Sequence, residues 1–118
     1  MNILVVDDTE FNRKLPATIL RQLGHAVSEA SDGPQALETL AADASIGHVL
    51  LDVNMPGMSG IEVCEAVRAT PRGAKLRIIA FTAHAFPDDA RKIMAAGFDA
   101  MLIKPITRAT LLGALDLA

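Results

Sequence analysis

The hydrophobic period of this chain switches repeatedly between that of a strand and that of a helix. Strand-like stretches fall at Asn2–Asp7, His25–Ala30, Gly47–Asp52, Lys75–Phe81 and Phe98–Ile103. A helical stretch follows each of them after a connection of a few residues. Three of the strand runs are almost wholly apolar, as strands are when helices cover both sheet faces. His25–Ala30 alternates apolar and polar residues, which suits an edge. Strict β–α alternation predicts a parallel, doubly wound α/β sheet of five strands.

The helical stretches carry their own punctuation. Leu15, Ile19, Leu20 and Leu23 recur at helical spacing within Thr9–Leu23, and Gly24 stops that helix. Pro16 falls inside it, removes one backbone donor and predicts a kink. Asp32-Gly33-Pro34-Gln35 reads as a cap with Pro just inside a helix that runs through Ala36, Leu37 and Leu40. Ser59-x-x-Glu62 is a capping box, followed by Ile61, Cys64, Val67 and Arg68 on one stripe. Asp88 and Asp89 occupy the first turn of a short helix over Pro87–Ala96, where the helix dipole favours them. Thr107 caps a last helix through Leu111, Leu112 and Leu115.

Composition narrows the functional classes. With 118 residues, 51% of them apolar, the chain is expected to form one domain over 1–118 with an ordinary core. A net charge of −3 leaves no electrostatic footprint for nucleic acid or an anionic membrane. The single Cys64 rules out an internal disulfide and a multi-cysteine metal site. No apolar run approaches the roughly 18 residues that span a bilayer, and Met-Asn-Ile-Leu is no signal peptide. The expected location is cytoplasmic.

Four of the apolar runs end in polar groups. Ile3–Val6 leads into Asp7-Asp8, Val49–Leu51 into Asp52, Ile78–Phe81 into Thr82, and Met101–Ile103 into Lys104. In an open α/β sheet, ligands bind beyond the carboxyl ends of the strands, where strand order reverses. For the order 2-1-3-4-5 that point lies between the first and third strands, which end in Asp7-Asp8 and Asp52. Thr82 and Lys104 close the fourth and fifth strands on the same side. Glu29-Ala30-Ser31 ends the second strand, outside the cluster.

Two like charges about 4 Å apart cost about 4 kcal/mol at an effective dielectric near 20. Protonation or a cation relieves that repulsion. An all-oxygen donor set with few carboxylates suits Mg²⁺, which keeps waters and shares phosphate oxygens. A phosphoryl group on Asp52 would meet the metal, the Lys104 amine and the Thr82 hydroxyl, the ingredients that stabilise phosphoryl transfer. The chain has neither a G-x-x-x-x-G-K-[ST] loop nor a G-x-G-x-x-G turn, so a donor must bring its own phosphoryl group.

Taken singly, each of these residues has a plainer role. Asp7-Asp8 can cap a helix, Asp52 can follow a strand as a turn residue, Thr82 can cap, and Lys104 can be solvated. His84 alone is a loop histidine, His25 and His48 read as structural, and Cys64 reads as a small core residue. Met55, Met58, Met94 and Met101 read as packing. The convergence of four strand ends on one rim carries the functional reading.

The ordered segments Val-Val-Asp-Asp (5–8), Leu-Leu-Asp-Val-Asn-Met-Pro-Gly-Met-Ser-Gly (50–60), Ile-Ile-Ala-Phe-Thr-Ala-His-Ala (78–85), Gly-Phe-Asp-Ala (97–100) and Lys-Pro-Ile (104–106) cover the chain. In them the chain resembles the receiver domains of two-component response regulators. With Asn12-Arg13 and Thr82–Ala85 it is most similar to receivers attached to hybrid sensor histidine kinases. The resemblance implies a flavodoxin-like fold and a phosphoacceptor, Asp52, loaded from a phosphohistidine on a histidine kinase or histidine phosphotransfer protein. It implies Mg²⁺ bound directly by Asp8, Asp52 and the backbone carbonyl of Asn54, and by Asp7 through water. Thr82 would bond a phosphoryl oxygen, Lys104 would pair with the phosphoryl group, and the Lys104–Pro105 peptide would be cis. Asn54 and His84 match the variable positions that tune loss of the phosphoryl group to water. Met101 stands where an aromatic switch residue is usual, so output would rest on backbone shifts.

The domain would switch a protein–protein interaction with an output protein or a covalently linked kinase, catalysing only its own phosphorylation and dephosphorylation. It would be either a stand-alone receiver or a piece of a hybrid kinase, and its charge pattern specifies no oligomeric state. Two alternatives stand beside this: a small Mg²⁺-dependent phosphatase or phosphotransferase on a similar sheet, and a degenerate receiver serving as a binding module.

Overall fold

A computed structural model describes residues 1–83 and 86–115. Five strands form one parallel sheet: β1 (Asn2–Val6), β2 (Ala26–Ala30), β3 (Ile46–Asp52), β4 (Arg77–Thr82) and β5 (Ala100–Ile103). Their order is β2-β1-β3-β4-β5, as the sequence predicts. The strands alternate with α1 (Glu10–Gln22), α2 (Gly33–Ala42), α3 (Gly60–Arg68), α4 (Pro87–Ala96) and α5 (Arg108–Ala114).

Period-two alternation divides the core between the two faces of the sheet. Leu4, Val6, Val49, Leu51, Ile78 and Ala80 point to the face covered by Ala36 and Leu40 of α2, Val63, Cys64 and Val67 of α3, and Ile93 of α4. Ile3, Val5, Leu50, Ile79, Phe81 and Leu102 point to the other, against Leu20 of α1 and Leu111 of α5. Both faces are dry, which explains the unbroken apolar runs.

The helix starts follow their local chemistry. Asp32 accepts from Gln35 N at 2.8 Å, Ser59 and Glu62 close a reciprocal capping box, and Thr107 with Thr110 closes another. Pro16 lies inside α1, as the sequence places it, with its ring buried. Two details differ from the pattern. Leu15, read as part of the core stripe, is 41% exposed. It lies five residues from Leu20, roughly 140° around the helix, so the two cannot share a face. The buried side is instead Pro16, Ala17 and Leu20. β4 begins at Arg77 rather than Lys75, because Gly73–Lys75 forms a single 3₁₀ turn.

Register fixes the site. Val6 lies beside Ala30 and Leu51, Asp52 beside Phe81, and Thr82 beside Ile103. The polar residues at and just past these positions therefore stand along one rim. Among the described residues no helix is long and apolar enough to cross a membrane.

Candidate phosphoacceptor site

The β1–α1 turn brings in Asp7 and Asp8. Asp7 is fully buried and Asp8 is exposed. One Asp7 oxygen accepts from Thr9 N at 2.9 Å, and the other from Lys104 Nζ at 3.0 Å. Asp52, at the end of β3, is 3% exposed and accepts from Lys104 Nζ at 3.3 Å and Asn54 N at 3.3 Å. Ligand oxygens of Asp7, Asp8 and Asp52 all lie within 4.8 Å of one another.

The loop after β3 is folded back tightly. Gly57 takes φ +77°, a left-handed conformation that favours glycine in the Pro56-Gly57 turn. Gly60 N donates to Val53 O at 3.0 Å. A Cβ on Gly60 would overlap the backbone carbonyl of Asp52 and come within 2.8 Å of Val53 Cα. The N-terminus of α3 thus rests directly on the backbone that carries Asp52.

Lys104 is placed by its own backbone, whose N–H donates to Thr82 O at 2.8 Å, and the Lys104–Pro105 peptide is cis. Its ammonium lies 4.5 Å from the centroid of the Phe81 ring, a cation–π contact. Nothing in the sequence signalled this partner for Phe81, since it depends on which face the ring takes. Thr82 is buried at the end of β4. It lines a cavity of about 240 Å³ with Val53, Asn54, Ile61, Asp89, Lys92 and Ile93, between the β3–α3 loop and α4. Met101 lies beside Ala80 on the sheet face that also carries Thr82, half-buried against the α2–α4 side of the core. His84 lies outside the described residues.

Three carboxylates against one amine leave two negative charges at the rim. Burial pushes the Asp52 carboxyl up from 3.8 to about 6, and the Asp7 charge adds to this; Lys104 and the Asn54 N–H pull the other way. The donor set is all oxygen, is partly open to water through Asp8, and carries a charge deficit that one divalent cation would match. The residues present therefore fit Mg²⁺.

Known proteins share the fold and family of this chain. The family model for the response regulator receiver domain matches residues 3–116. The sensor histidine kinase RcsC of Salmonella typhimurium is 40% identical over 107 residues, 91% of this chain and 11% of RcsC. The signal transduction histidine-protein kinase BarA of Escherichia coli K12 is 35% identical over 106 residues, 90% of this chain and 11% of BarA. The chain therefore spans about a tenth of the length of these relatives. Among solved structures, chemotaxis protein CheY4 of Vibrio cholerae superposes with a TM-score of 0.92 at 31% identity, covering 98% of this chain and 95% of that one. The receiver domain of sensor histidine kinase PA1611 from Pseudomonas aeruginosa, with a magnesium ion coordinated in its active-site cleft, gives 0.89 at 32% identity, covering 98% and 93%. Fold and relatives agree, and the chain belongs to the response regulator receiver domain family of two-component signalling.

Proposed function

We propose that Asp52 is the phosphoacceptor, loaded from a phosphohistidine on a histidine kinase or histidine phosphotransfer protein with Mg²⁺ at the acidic rim. The observation that carries this is Asp52 itself: a buried carboxylate flanked by a second carboxylate and bridged to it by the Lys104 amine. Asp8, Asp52 and the Asn54 carbonyl would hold the ion. Each Asp7 oxygen already accepts a hydrogen bond, which supports an outer role through water. When bound, Mg²⁺ supplies charge neutralisation at the transferred phosphoryl oxygens.

In the transfer, an Asp52 oxygen attacks phosphorus, the P–N bond breaks, and its electron pair leaves with the imidazole. Lys104 stands 3.3 Å from the attacking carboxylate and would follow the charge as it moves onto the phosphoryl oxygens. The Thr82 hydroxyl would donate to a phosphoryl oxygen from the far side. Asn54, exposed on the loop, and His84 would tune attack by water. The product replaces one carboxylate charge by roughly two. That change would be passed by Thr82 and the backbone near Met101 to an output protein or linked kinase, in a cytoplasmic setting. The chemistry is self-modification without turnover of a metabolite.

The test is incubation with Mg²⁺ and acetyl phosphate, followed by intact-protein mass. One phosphoryl adduct that is absent in Asp52→Asn is expected. No adduct and no Mg²⁺ binding, or steady phosphate release from unrelated monoesters, would overturn the reading.

A further inference from the structure

We propose that Arg13 is a positioning residue for the metal and phosphoryl site, holding the peptide between Asp7 and Asp8 in place from an anchor on β2. The inference rests on the receiver reading of the acidic rim.

Arg13 lies on the first turns of α1, and its side chain is 15% exposed. Its Nε donates to Glu29 Oε1 at 3.0 Å, and its Nη1 donates to the backbone carbonyl of Asp7 at 3.0 Å. That carbonyl belongs to the peptide joining Asp7 to Asp8. Its orientation sets where the Asp8 carboxylate can point. On the other side of the same residue, Asp7 N donates to Ala30 O at 3.2 Å. The turn is thus gripped at N–H, carbonyl and both carboxylate oxygens, and Arg13 supplies the carbonyl contact.

The anchor is itself built for the task. Glu29 also accepts from Lys14 at 2.8 Å and pairs with Arg21 at 3.1 Å. Burial raises its carboxyl, but hydrogen bonds from Lys14, Arg13 and Arg21 outweigh that and hold it below its ordinary value. Glu29 therefore stays ionised and keeps the guanidinium in one orientation. A planar guanidinium can bond a carboxylate and a carbonyl at once in fixed geometry, whereas a lysine acts as a point charge. Sequence places Glu29 outside the rim cluster because the second strand lies beyond the first; it acts on the rim through Arg13.

Electrostatics and positioning predict opposite signs, which makes the role testable. Arg13 is a cation near a cation site, so by charge alone its loss should tighten Mg²⁺ binding. If it orients Asp8, its loss should weaken Mg²⁺ binding, by about 10-fold or more as for other residues that orient metal ligands. The experiment is isothermal titration with Mg²⁺, alongside acetyl phosphate loading and thermal unfolding in EDTA, on wild type, Arg13→Ala, Arg13→Lys and Arg21→Ala. Arg21 shares Glu29 but donates to Val27 O instead of the Asp7 carbonyl, and Arg13 and Lys14 still hold Glu29 without it, so Arg21→Ala should keep wild-type affinity and loading rate. Arg13→Ala should weaken both, and Arg13→Lys should not restore them. Unchanged or tighter Mg²⁺ binding in Arg13→Ala overturns the proposal, as does full rescue by lysine. Failure of the wild type to bind Mg²⁺ or take a phosphoryl group would instead overturn the receiver reading.

Discussion

Asp52→Asn should stabilise the metal-free protein at neutral pH although it should also abolish the proposed phosphoryl acceptance. Asp52 is 3% exposed and titrates at about 6 when folded, against an ordinary 3.8. Its folded-state value is raised, so the folded protein holds this proton more tightly than the unfolded chain. The contribution of Asp52 to stability is then most favourable below about pH 4. It declines as pH rises through the window from 3.8 to about 6, and is constant above. At about 1.4 kcal/mol per pH unit, the full decline is about 3 kcal/mol. The amide of the variant would keep the shape and an acceptor for Asn54 N–H without the charge, while Lys104 keeps Asp7 as a partner. That decline is already net of the Lys104 and Asn54 contacts, and water at the open side of the rim screens part of it, leaving about 1–2 kcal/mol. For a chain of this size that is roughly 4–10 °C in melting temperature. Calorimetry in EDTA at pH 7.5 and pH 4.5 checks it. The advantage of the variant should be largest at pH 7.5 and fall to about a third of that at pH 4.5, and Mg²⁺ should close the gap by stabilising wild type. A variant that melts below wild type at pH 7.5, or shows the same advantage at both pH values, refutes the reasoning.

Other perturbations separate the parts of the rim. Lys104→Met removes the amine 3.0 Å from Asp7 and 3.3 Å from Asp52. It should slow phosphoryl uptake by roughly 100-fold while tightening Mg²⁺ binding in titration calorimetry, because a competing cation is gone. Gly60→Ala forces a Cβ against the Asp52 carbonyl and should lower stability by about 1–3 kcal/mol, read as a lower urea midpoint, and should slow loading as well. Arg68→Ala strips a guanidinium that donates to Gly73 O, Leu76 O, Gly97 O and the Asp99 carboxylate. It should cost about 2–3 kcal/mol in chemical unfolding yet leave the Mg²⁺ affinity of the distant rim unchanged.

What could be read from sequence was what local chemistry determines. Asp32, Ser59 and Thr107 cap helices where they stand because a side-chain oxygen needs only the next three residues to find its donor. The apolar runs Ile3–Val6 and Val49–Leu51 disclosed a sheet covered on both faces and β–α alternation a parallel one, while the order 2-1-3-4-5 goes with the receiver resemblance. The rim was legible because strand ends are sequence positions. Partners fixed only by tertiary approach were not. Arg68 reads as a polar residue on a helix stripe, yet it ties the end of α3 to the turns after α3 and α4. Arg72 similarly reaches Asp43 O at 2.6 Å and Ile46 O at 3.1 Å, holding the α2–β3 connection. Leu15 failed for a third reason: apolar character was counted without its angle around the helix.

The arrangement has an internal tension that accounts for both its stability and its use. The strand interiors are dry and apolar, so the sheet does not depend on the rim for its cohesion. That independence allows two carboxylates, Asp7 and Asp52, to be held buried and adjacent with Lys104 bridging them. Several restraints act on backbone rather than charge: the Gly60 contact under Asp52, the Lys104 N–H bonded to Thr82 O, and the Asp7 N–H bonded to Ala30 O. Charge can therefore change at the rim while the atoms that position it stay put. A site that is electrostatically unfavourable when bare gains most from a divalent cation, and it responds most when a phosphoryl group shifts that balance.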